Sequence, residues 1–490
     1  MATRLERITQ QRLDSLNRIR AQGTNPYPNS FHRSHTVKEA VVLFEQGEDS
    51  QARSLAGRVI AKRPMGKMTF FDIRDGSGKI QLSFRCDLLG QEKYKFLQEI
   101  DIGDIIGAQG RLFRTKTGEI TLEASDFTML CKALQPLPEK WHGLVDVEKR
   151  YRQRYLDLIS NEDVKTIFRM RSQIITALRD FLNSQGFMEV ETPVLQPQAG
   201  GALARPFVTH HRALDEDLYL RIALELHLKR LVVGGFDKVY EMGRAFRNEG
   251  ISTKHNPEFT LLECYQAYSD YNDMMNLVEE MTCHIAQEVL GGTTIVVDDE
   301  TIDLTPPWRR LYLRQVIKEY CGIDFEDYPD AASLRSAMTE LKMELDPGKN
   351  RGRLIDELIS TFLEPKLIQP TFLLDYPVEM SPLAKRKQDN EHLVERFEAF
   401  IGGMEVANAF TELNDPLEQR ERFRQQLKER ATSEEIIEIA DEDFLQALEY
   451  GMPPTGGLGI GIDRLVMLLT GQQSVREVIL FPQLKIKERK

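Results

Sequence analysis

The sequence has few of the features that mark metal-binding, disulfide-bonded, membrane or dinucleotide-binding proteins. Its five cysteines, Cys86, Cys131, Cys264, Cys283 and Cys321, are far apart and form no Cys-x-x-Cys pair, which argues against a zinc knuckle and a disulfide framework. No run of about eighteen apolar residues appears, and the N-terminal residues lack the apolar core of a signal peptide. No P-loop, dinucleotide fingerprint or Ser/His/Asp constellation occurs. We therefore expect a cytoplasmic protein that has free thiols and no membrane partner.

Positive charge is also scarce, with 64 Lys and Arg against 76 Asp and Glu and a net charge of -12. This deficit argues at first against a partner of RNA, whose phosphates are neutralised by Lys and Arg. Net charge, however, governs solubility and not the charge of a local surface. The first twenty residues carry Arg4, Arg7, Arg12, Arg18 and Arg20 with apolar residues between them. This segment is either a helix that contacts a nucleic-acid backbone or an amphipathic helix packed on its own domain.

The length of the chain and a proline-containing linker predict at least two domains. At 490 residues the chain exceeds what one hydrophobic core usually organises. Residues 55–131 contain five short strand-like stretches separated by turns, with a helical patch at 92–99, which suits a small OB barrel that binds single-stranded nucleic acid. A proline-punctuated linker follows at 135–140. We predict an α+β protein with an N-terminal helix, a five-stranded OB-fold β-barrel and the linker at 1–145, and a second domain at 146–490.

Two well-separated stretches place an arginine beside backbone that can approach a nucleotide closely. In the first, 246–259, Arg247 and Glu249 point to one face at the strand period. The loop of this stretch carries Lys254 and His255, which suit the distal phosphates of a nucleotide. One face of the returning strand carries an aromatic ring, a carboxylate and a phenol, at Phe259, Leu261, Glu263 and Tyr265.

The second stretch, 457–464, is a glycine-rich strand that leads into an apolar helix. Missing side chains at Gly457, Gly459 and Gly461 would let a flat base lie against the backbone, and Arg464 stands where strand and helix meet. Together the two stretches predict an ATP site on an antiparallel sheet.

These stretches and residues 186–193 resemble, in order, the three signature motifs of class II aminoacyl-tRNA synthetases. The segments 152–158, 231–235 and 414–416 narrow the resemblance to the lysyl-tRNA synthetases of the bacterial type, and it extends over essentially the whole chain. It implies an enzyme that activates lysine with ATP to lysyl-adenylate, releases pyrophosphate, and transfers lysine to the 3′-terminal adenosine of tRNA-Lys, with Mg²⁺ as cofactor.

The resemblance also implies the architecture of the second domain. A class II catalytic domain is built on an antiparallel sheet flanked by helices. The long helix predicted at 164–185 and the strand predicted at 189–195 would form the contact of a homodimer. The stretch at about 268–375 would be a helix-rich insertion between the second and third motifs.

For the nucleotide, the resemblance implies a catalytic set of Arg247, Glu249, His255 and Arg464. Arg247 would bridge the lysine carboxylate and the α-phosphate, and Arg464 and Phe259 would close the two faces of adenine. The other ATP contacts implied are Asn256, Glu405 and Gly461.

The resemblance also implies two magnesium ligands, Glu398 and Glu405. They flank Gly402 and Gly403, a turn that would bring two carboxylates together around a hard cation. A single Glu in a strand usually faces solvent, so the shared turn is what favours this assignment.

An extended amino acid that ends in an ammonium ion needs carboxylates and further acceptors, because a lone charge taken out of water is costly. The resemblance places Glu225, Tyr265 and Glu412 at the ε-ammonium. It places Gly201 and Glu263 at the α-amine. The remaining lysine contacts implied are Asn408 with Arg247 at the carboxylate, and Phe410, which shares a strand face with Asn408 and Glu412.

In the barrel, the resemblance implies an anticodon-binding face. The residues are an aromatic ring for stacking, an amide for a base edge and two cations for phosphate: Phe70, Gln81, Lys62 and Arg63.

Three alternatives compete with this interpretation. Aspartyl- and asparaginyl-tRNA synthetases share the arrangement of domains, but their pockets would need cationic or donor groups where this chain has Glu225 and Glu412. A non-catalytic RNA-binding relative would have lost an arginine or a metal carboxylate, and a paralogue that lysylates a protein would lack the barrel. The sequence keeps all of these features.

Overall fold

The computed structural model describes residues 3–48, 51–138, 144–198, 200–201, 204–430 and 441–485. The chain forms two compact units, Met1–Val145 and Asp146–Lys490. Among the described residues, no helix is both long enough and apolar enough to cross a membrane.

The first unit is a closed five-stranded barrel with helices packed on it. Its elements in chain order are α1 (Arg4–Ala21), α2 (Val37–Glu45), β1 (Arg53–Met65), β2 (Met68–Arg74), β3 (Lys79–Arg85), α3 (Cys86–Leu89), α4 (Gln91–Phe96), β4 (Ile105–Arg114) and β5 (Ile120–Cys131). The strands join in the order β1-β2-β3-β5-β4, and β3 and β5 run parallel. This is the barrel that the sequence predicted.

Strand alternation decides which side chains fill the barrel. Phe71 and Phe84 are fully buried, and Phe84 packs edge-on against Phe71 and Phe127, with centroids 5.1 and 5.4 Å apart. Phe70, one residue before Phe71, points outward and is only partly buried. Gly110 lies so close to β5 that a Cβ would stand 1.9 Å from the carbonyl oxygen of Glu123, so the close approach of these strands requires glycine.

Helix α1 packs on the barrel through its arginines. Arg12 is 7% exposed and donates hydrogen bonds to the carbonyls of Ile102 and Ala133. Arg18 pairs with Glu99 at 2.9 Å. For these two arginines, the interpretation of α1 as an amphipathic helix packed on its own domain is therefore the one that the structure favours.

The second unit is built on an eight-stranded sheet. Its elements in chain order are α5 (Val147–Arg152), α6 (Arg154–Ser160), α7 (Glu162–Ser184), β6 (Met188–Glu189), β7 (Leu195–Gln196), β8 (Val208–His211), β9 (Glu216–Leu220), α8 (Glu225–Val233), β10 (Lys238–Phe246), β11 (Glu258–Ala267), α9 (Tyr271–Leu290), β12 (Thr294–Val297), β13 (Glu300–Asp303), β14 (Arg309–Tyr312), α10 (Leu313–Cys321), α11 (Ala331–Glu340), α12 (Arg351–Leu358), β15 (Thr371–Pro377), β16 (Leu393–Ile401), β17 (Met404–Thr411), α13 (Pro416–Arg430), α14 (Glu442–Glu449), β18 (Thr455–Gly461), α15 (Ile462–Thr470) and α16 (Val475–Val478).

The large sheet has the strand order β14-β15-β16-β17-β18-β11-β10-β6. Its inner neighbours are antiparallel, whereas the outermost pairs, β14 with β15 and β10 with β6, are parallel. Helices α7, α9 and α15 cover one face, where Leu178, Val278 and Leu465 meet Leu262 and Cys264 of β11 in one buried cluster. The predicted α+β fold class is confirmed, with parallel strand pairs added at both edges.

Two predicted segments differ in detail. The strand predicted at 189–195 is wrong as one element, because β6 pairs with β10 in the large sheet while β7 pairs with β9 in a three-stranded sheet. Pro193, which has no backbone N–H to donate to a strand ladder, lies between them. The stretch 268–375 contains helices α9 to α12, and it also supplies β14 and β15 to the large sheet.

Candidate active site

The face of the large sheet away from α7, α9 and α15 lines a cavity of about 910 Å³. Alternation along β11 produces this division, because Leu262 and Cys264 point into the helical core while Glu263 and Tyr265 point into the cavity. The cavity wall includes every residue that the sequence assigned to ATP, lysine or magnesium: Gly201, Glu225, Arg247, Glu249, His255, Asn256, Phe259, Glu263, Tyr265, Glu398, Glu405, Asn408, Phe410, Glu412, Gly461 and Arg464.

Arg247 lies just beyond the end of β10 and stacks on Phe259, with the guanidinium carbon 5.1 Å from the ring centroid. Its backbone N–H donates to the carbonyl of Pro257 at 2.8 Å, which fixes the close of the hairpin. Burial lowers the pKa of Arg247, whereas Glu249 and other cavity carboxylates raise it. A guanidinium remains charged at any physiological pH, so this wall of the cavity presents a fixed cation.

Arg464 enters the cavity from the first turn of α15 and is held by strand β17. Its guanidinium donates to both the carbonyl and the carboxylate of Glu405 at 2.9 Å. The preceding residue, Asp463, fixes this junction because it pairs with Arg171 of α7 at 2.6 Å and accepts from the backbone N–H of Thr260 at 2.8 Å. Arg171 also donates to the hydroxyl of Thr260. One residue of α7 thus ties the two arginine stretches together.

The loop after β10 brings His255 toward Arg464, with 3.5 Å between the two side-chain nitrogens. Burial and the charge of Arg464 lower the pKa of His255, which favours a neutral imidazole. Asn256 also lines the cavity, but both ends of its side-chain amide are engaged within the protein, at the carbonyl of Glu258 and the N–H of Gln483. These two bonds indicate that Asn256 stabilises the conformation of the loop.

The two carboxylates predicted for magnesium lie on the β16–β17 hairpin. Glu398 accepts from Arg396 at 2.5 Å and from the hydroxyl of Tyr376 at 2.8 Å, while Glu405 accepts from Arg464. Burial raises the pKa of Glu398 to about 7, and the nearby charge of Glu405 adds to the increase. The described residues contain no cluster of three or more His, Cys, Asp or Glu side chains that could hold a metal on their own. Mg²⁺ commonly needs only one or two carboxylates together with substrate phosphates, so this pair fits a metal shared with a nucleotide.

The inner end of the cavity is lined by buried acidic residues. Glu225, Glu263, Tyr265 and Glu412 are all less than 8% exposed. Glu263 is held by the N–H of Leu224 at 3.1 Å and the hydroxyl of Tyr265 at 3.0 Å. Burial and the nearby Glu225 raise the pKa of Glu263 to about 7. Buried acids without a full set of cations are costly, so this end of the cavity favours a positively charged guest.

Lys229, which the sequence analysis missed, lies among these acids. Its ammonium is 2.5 Å from Glu225 and also contacts Glu412, and its side chain is fully buried. Burial alone would lower the pKa of Lys229, but the two carboxylates raise it above its ordinary value. Glu225 and Lys229 are four residues apart on α8, and this spacing of opposite charges on a predicted helix is the signal that could have found the pair.

Gly457 makes room for this arrangement. A Cβ at this position would stand 1.8 Å from Oε1 of Glu412 and 2.7 Å from the ring of Tyr265. At Gly459, two residues along the same face of β18, a Cβ would meet neighbours only at 3.7 Å and beyond. The glycine-rich strand was predicted to admit a flat base, but at Gly457 it admits an acid side chain.

On the barrel, three of the four predicted anticodon residues share the outward face. The register pairs Phe70 with Arg63, and Gln81 with Asp72 two residues along. Arg63 is nearly half exposed and pairs with Asp72 at 2.7 Å, while Gln81 is mostly buried and accepts from Thr121.

Lys62, the fourth predicted anticodon residue, lies apart from the other three. Lys62 pairs in register with Phe71, on the inner side of the strand, and its ammonium donates to the carbonyls of Leu97 and Ile100 at 2.8 Å. Those bonds satisfy the end of a short helical segment, so this cation is used inside the protein.

Known proteins match both units. Residues 146–485 match the family model described as class II tRNA synthetases (D, K and N), and residues 54–130 match the one described as an OB-fold nucleic acid binding domain. The chain is 58% identical over 491 residues to the lysine–tRNA ligase of Dehalococcoides mccartyi, covering 99% of each chain. It is 57% identical over 477 residues to that of Moorella thermoacetica, covering 97% of each, and 54% identical over 484 residues to that of Carboxydothermus hydrogenoformans, covering 99% of each. The chain therefore belongs to the class II tRNA synthetases of the D, K and N group.

Proposed function

We propose that this enzyme joins lysine to tRNA-Lys, using ATP to form lysyl-adenylate and then transferring lysine to the terminal adenosine. The observation that carries the choice of amino acid is the acidic inner end of the cavity. Glu225, Glu263 and Glu412 are buried there within reach of Tyr265. A pocket for aspartate or asparagine would need cations or donors at these positions, because a second carboxylate would be left unpaired among buried acids.

In the first step, an oxygen of the lysine carboxylate attacks the α-phosphorus of ATP. A carboxylate–phosphorus bond forms, the bond from the α-phosphorus to the bridging oxygen breaks, and pyrophosphate leaves with the electron pair. Negative charge therefore builds up on phosphate oxygens, and catalysis consists of positioning and electrostatic stabilisation. In the second step, a ribose hydroxyl of the terminal adenosine attacks the activated carbonyl carbon and forms an ester bond. The bond from that carbon to the phosphate oxygen breaks, AMP leaves with the electron pair, and the hydroxyl proton passes to a phosphate oxygen of the leaving AMP.

Arg247 and Arg464 supply the fixed positive charge for the first step, the attack on ATP. Arg247, held against Phe259, would meet the lysine carboxylate and the α-phosphate together. Arg464 would lie on the adenine and reach the γ-phosphate, with the neutral His255 beside it. Glu249 lies at the same wall, and Gly461 leaves the nucleotide side of β18 open.

Glu398 and Glu405 are the residues that would hold Mg²⁺. When bound, the metal would neutralise charge on the phosphate oxygens. The bonds from Arg396 and Tyr376 hold the carboxylate of Glu398 in place for such a role.

At the other end of the substrate, Glu225, Tyr265 and Glu412 would receive the ε-ammonium. Glu263 and the backbone of Gly201 would receive the α-amine. Asn408 and Phe410 form the wall between them, and Arg396 orients Asn408 by donating to its side-chain oxygen at 3.1 Å.

The barrel would recognise the anticodon through Phe70, Arg63 and Gln81. A partly exposed aromatic ring beside a cation, on the open face of an OB barrel, suits stacking on an unpaired base.

Charging of tRNA supports a cytoplasmic location. A homodimer is supported by apolar side chains exposed around β6 to β8, at Met188, Val194, Leu195 and Val208.

The test is amino-acid-dependent exchange of labelled pyrophosphate into ATP, measured for all twenty amino acids with and without Mg²⁺. We expect exchange with lysine and Mg²⁺ in the absence of tRNA, and its loss by at least about 100-fold in Arg247→Ala, since removing one charge-stabilising donor typically costs that much. Exchange supported equally by aspartate or asparagine would contradict the proposal.

A further inference from the structure

The ammonium of Lys229 contacts two of the acids to which we assign the ammonium of the substrate. Its Nζ lies 2.5 Å from Oε1 of Glu225 and also contacts Oε2 of Glu412. The rings of Phe410 and Phe444 close around it, with centroids 5.5 and 5.9 Å from Nζ. Two acids of the cavity wall thus already bind one ammonium of the protein itself, from a residue that does not line the cavity.

The charged and titratable groups that face Lys229 come from three elements. Glu225 on its own helix and Glu412, directly after β17, contact Lys229, while Glu263 and Tyr265 of β11 lie beside these two acids. On the side of α14, Lys229 meets the ring of Phe444. The neighbouring Arg230 is engaged elsewhere, because it pairs with Asp441 at 2.8 Å.

The acids at this end of the pocket outnumber the resident ammonium. Glu225 and Glu412 share the ammonium of Lys229, and Glu263 adds a third carboxyl group, whose pKa burial raises to about 7. Free lysine brings two ammonium groups, and its carboxylate would face Arg247 at the other end. Burial raises the pKa of Glu225 and of Glu412, and the charge of Lys229 lowers both. Without Lys229, no other ammonium among the described residues would contact these two acids, and both pKa values would rise further.

We propose that Lys229 is a positioning residue for substrate lysine. It acts as a built-in counter-ion that keeps Glu225 and Glu412 ionised and fixed in the empty pocket, so that both carboxylates are ready to accept the substrate ammonium. This inference rests on the proposed lysine pocket.

Ionised acids are acceptors only, whereas a protonated acid uses one oxygen as a donor. An ammonium needs three acceptors, so a pocket in which Glu412 kept its proton would bind lysine less tightly. Lysine binding would also expel that proton, because a new cation beside an acid favours its ionised form. Proton release on binding therefore distinguishes a counter-ion from a residue that only fills space.

The experiment is titration calorimetry of the full-length protein with lysine at pH 7, in two buffers of different ionisation enthalpy. In Lys229→Met we expect at least about tenfold weaker lysine binding, since a protonated Glu412 is a poorer acceptor for the substrate ammonium, and up to one additional proton released. The KM for ATP should stay within about twofold of the wild-type value, since the ATP residues lie at the other end of the cavity.

The matched control is Lys132→Met. Lys132 is equally buried and pairs with Asp101 at 2.6 Å and Asp104 at 2.9 Å, but in the barrel. Its loss should lower thermal stability and leave lysine affinity and proton release in place.

The double variant Lys229→Met/Glu412→Gln carries a glutamine that mimics the protonated acid. It should be more stable than Lys229→Met and release no additional proton. If the single variant does not fold, the double variant must fold for the proposal to stand. Wild-type proton release in Lys229→Met, or a double variant no more stable than the single one, would overturn it. Failure of the wild-type protein to bind lysine would instead contradict the proposed function.

Discussion

Replacing Gly457 by alanine tests the geometry of the acidic pocket with a single methyl group. The added Cβ would stand 1.8 Å from Oε1 of Glu412, while ordinary contacts begin at 3.4 Å, so the carboxylate would have to retreat by about 1.6 Å. The backbone cannot yield easily, because β18 is hydrogen-bonded to β11 on one side and to β17 on the other. The retreat would disturb the contact of Glu412 with Lys229.

Overpacking of this kind costs about 1–3 kcal/mol. We therefore expect the unliganded Gly457→Ala protein to unfold at a temperature lower by a few degrees. If the same cost falls on the lysine complex, we also expect the variant to bind lysine roughly 5- to 150-fold more weakly, since 1.4 kcal/mol corresponds to a factor of ten. The assays are differential scanning calorimetry without ligand and equilibrium titration with lysine.

Gly459→Ala is the control, because it adds the same methyl group to the same strand and face but meets neighbours only at 3.7 Å and beyond. Its unfolding temperature should stay near that of the wild-type protein. The unfolding temperature without ligand is the decisive measurement. A methyl group at either position faces the cavity, so both variants could weaken lysine binding directly. Equal unfolding temperatures for the two variants would refute the packing that places Glu412 against Gly457.

Two further predictions concern other parts of the molecule. Phe70→Ala should leave lysine-dependent pyrophosphate exchange unchanged and raise the KM for tRNA-Lys, by roughly 5- to 150-fold if one stacked base is lost at about 1–3 kcal/mol; equal losses in both assays would contradict its placement on the anticodon face. Glu263, whose folded pKa of about 7 exceeds its ordinary 4.5, contributes stability that is full below about pH 4.5 and is lost as the pH rises to about 7. Glu263→Gln should therefore gain in unfolding temperature relative to the wild-type protein between pH 5 and pH 8, and a constant difference would contradict the raised pKa.

Periodicity and motif order were sufficient for the fold class and for the faces of the central strands. Strand alternation correctly placed Glu263 and Tyr265 on one face, because both neighbours of β11 are long, regular antiparallel strands. The same rule predicts that Lys62 and Arg63 do not share a face, since adjacent strand residues point to opposite faces. Which of Lys62 and Arg63 points outward depends on the irregularity between Val59 and Ala61, and the sequence carries no clear sign of it.

The strand predicted at 189–195 failed for a different reason. β6 and β7 are two residues each, and each is defined by the partner that it pairs with in a different sheet. Such short pairings depend on tertiary contacts and not on local preference. Lys229 was missed because an ion pair on a helix usually lies at the surface, and only the packing of α8 against β11 and Glu412 buries this one.

Helix α7 supports the proposed ATP site through Arg171, although this residue does not line the cavity. The guanidinium of Arg171 holds Asp463 and Thr260, the residues next to Arg464 and Phe259. If α7 also forms the subunit contact, a shift of α7 at that contact would move Arg171. Through Asp463 and Thr260 it would then move Arg464 and Phe259, the two residues proposed to lie on the faces of adenine. Substitutions chosen to split the oligomer would then be misinterpreted as defects in ATP use unless position 171 is left intact.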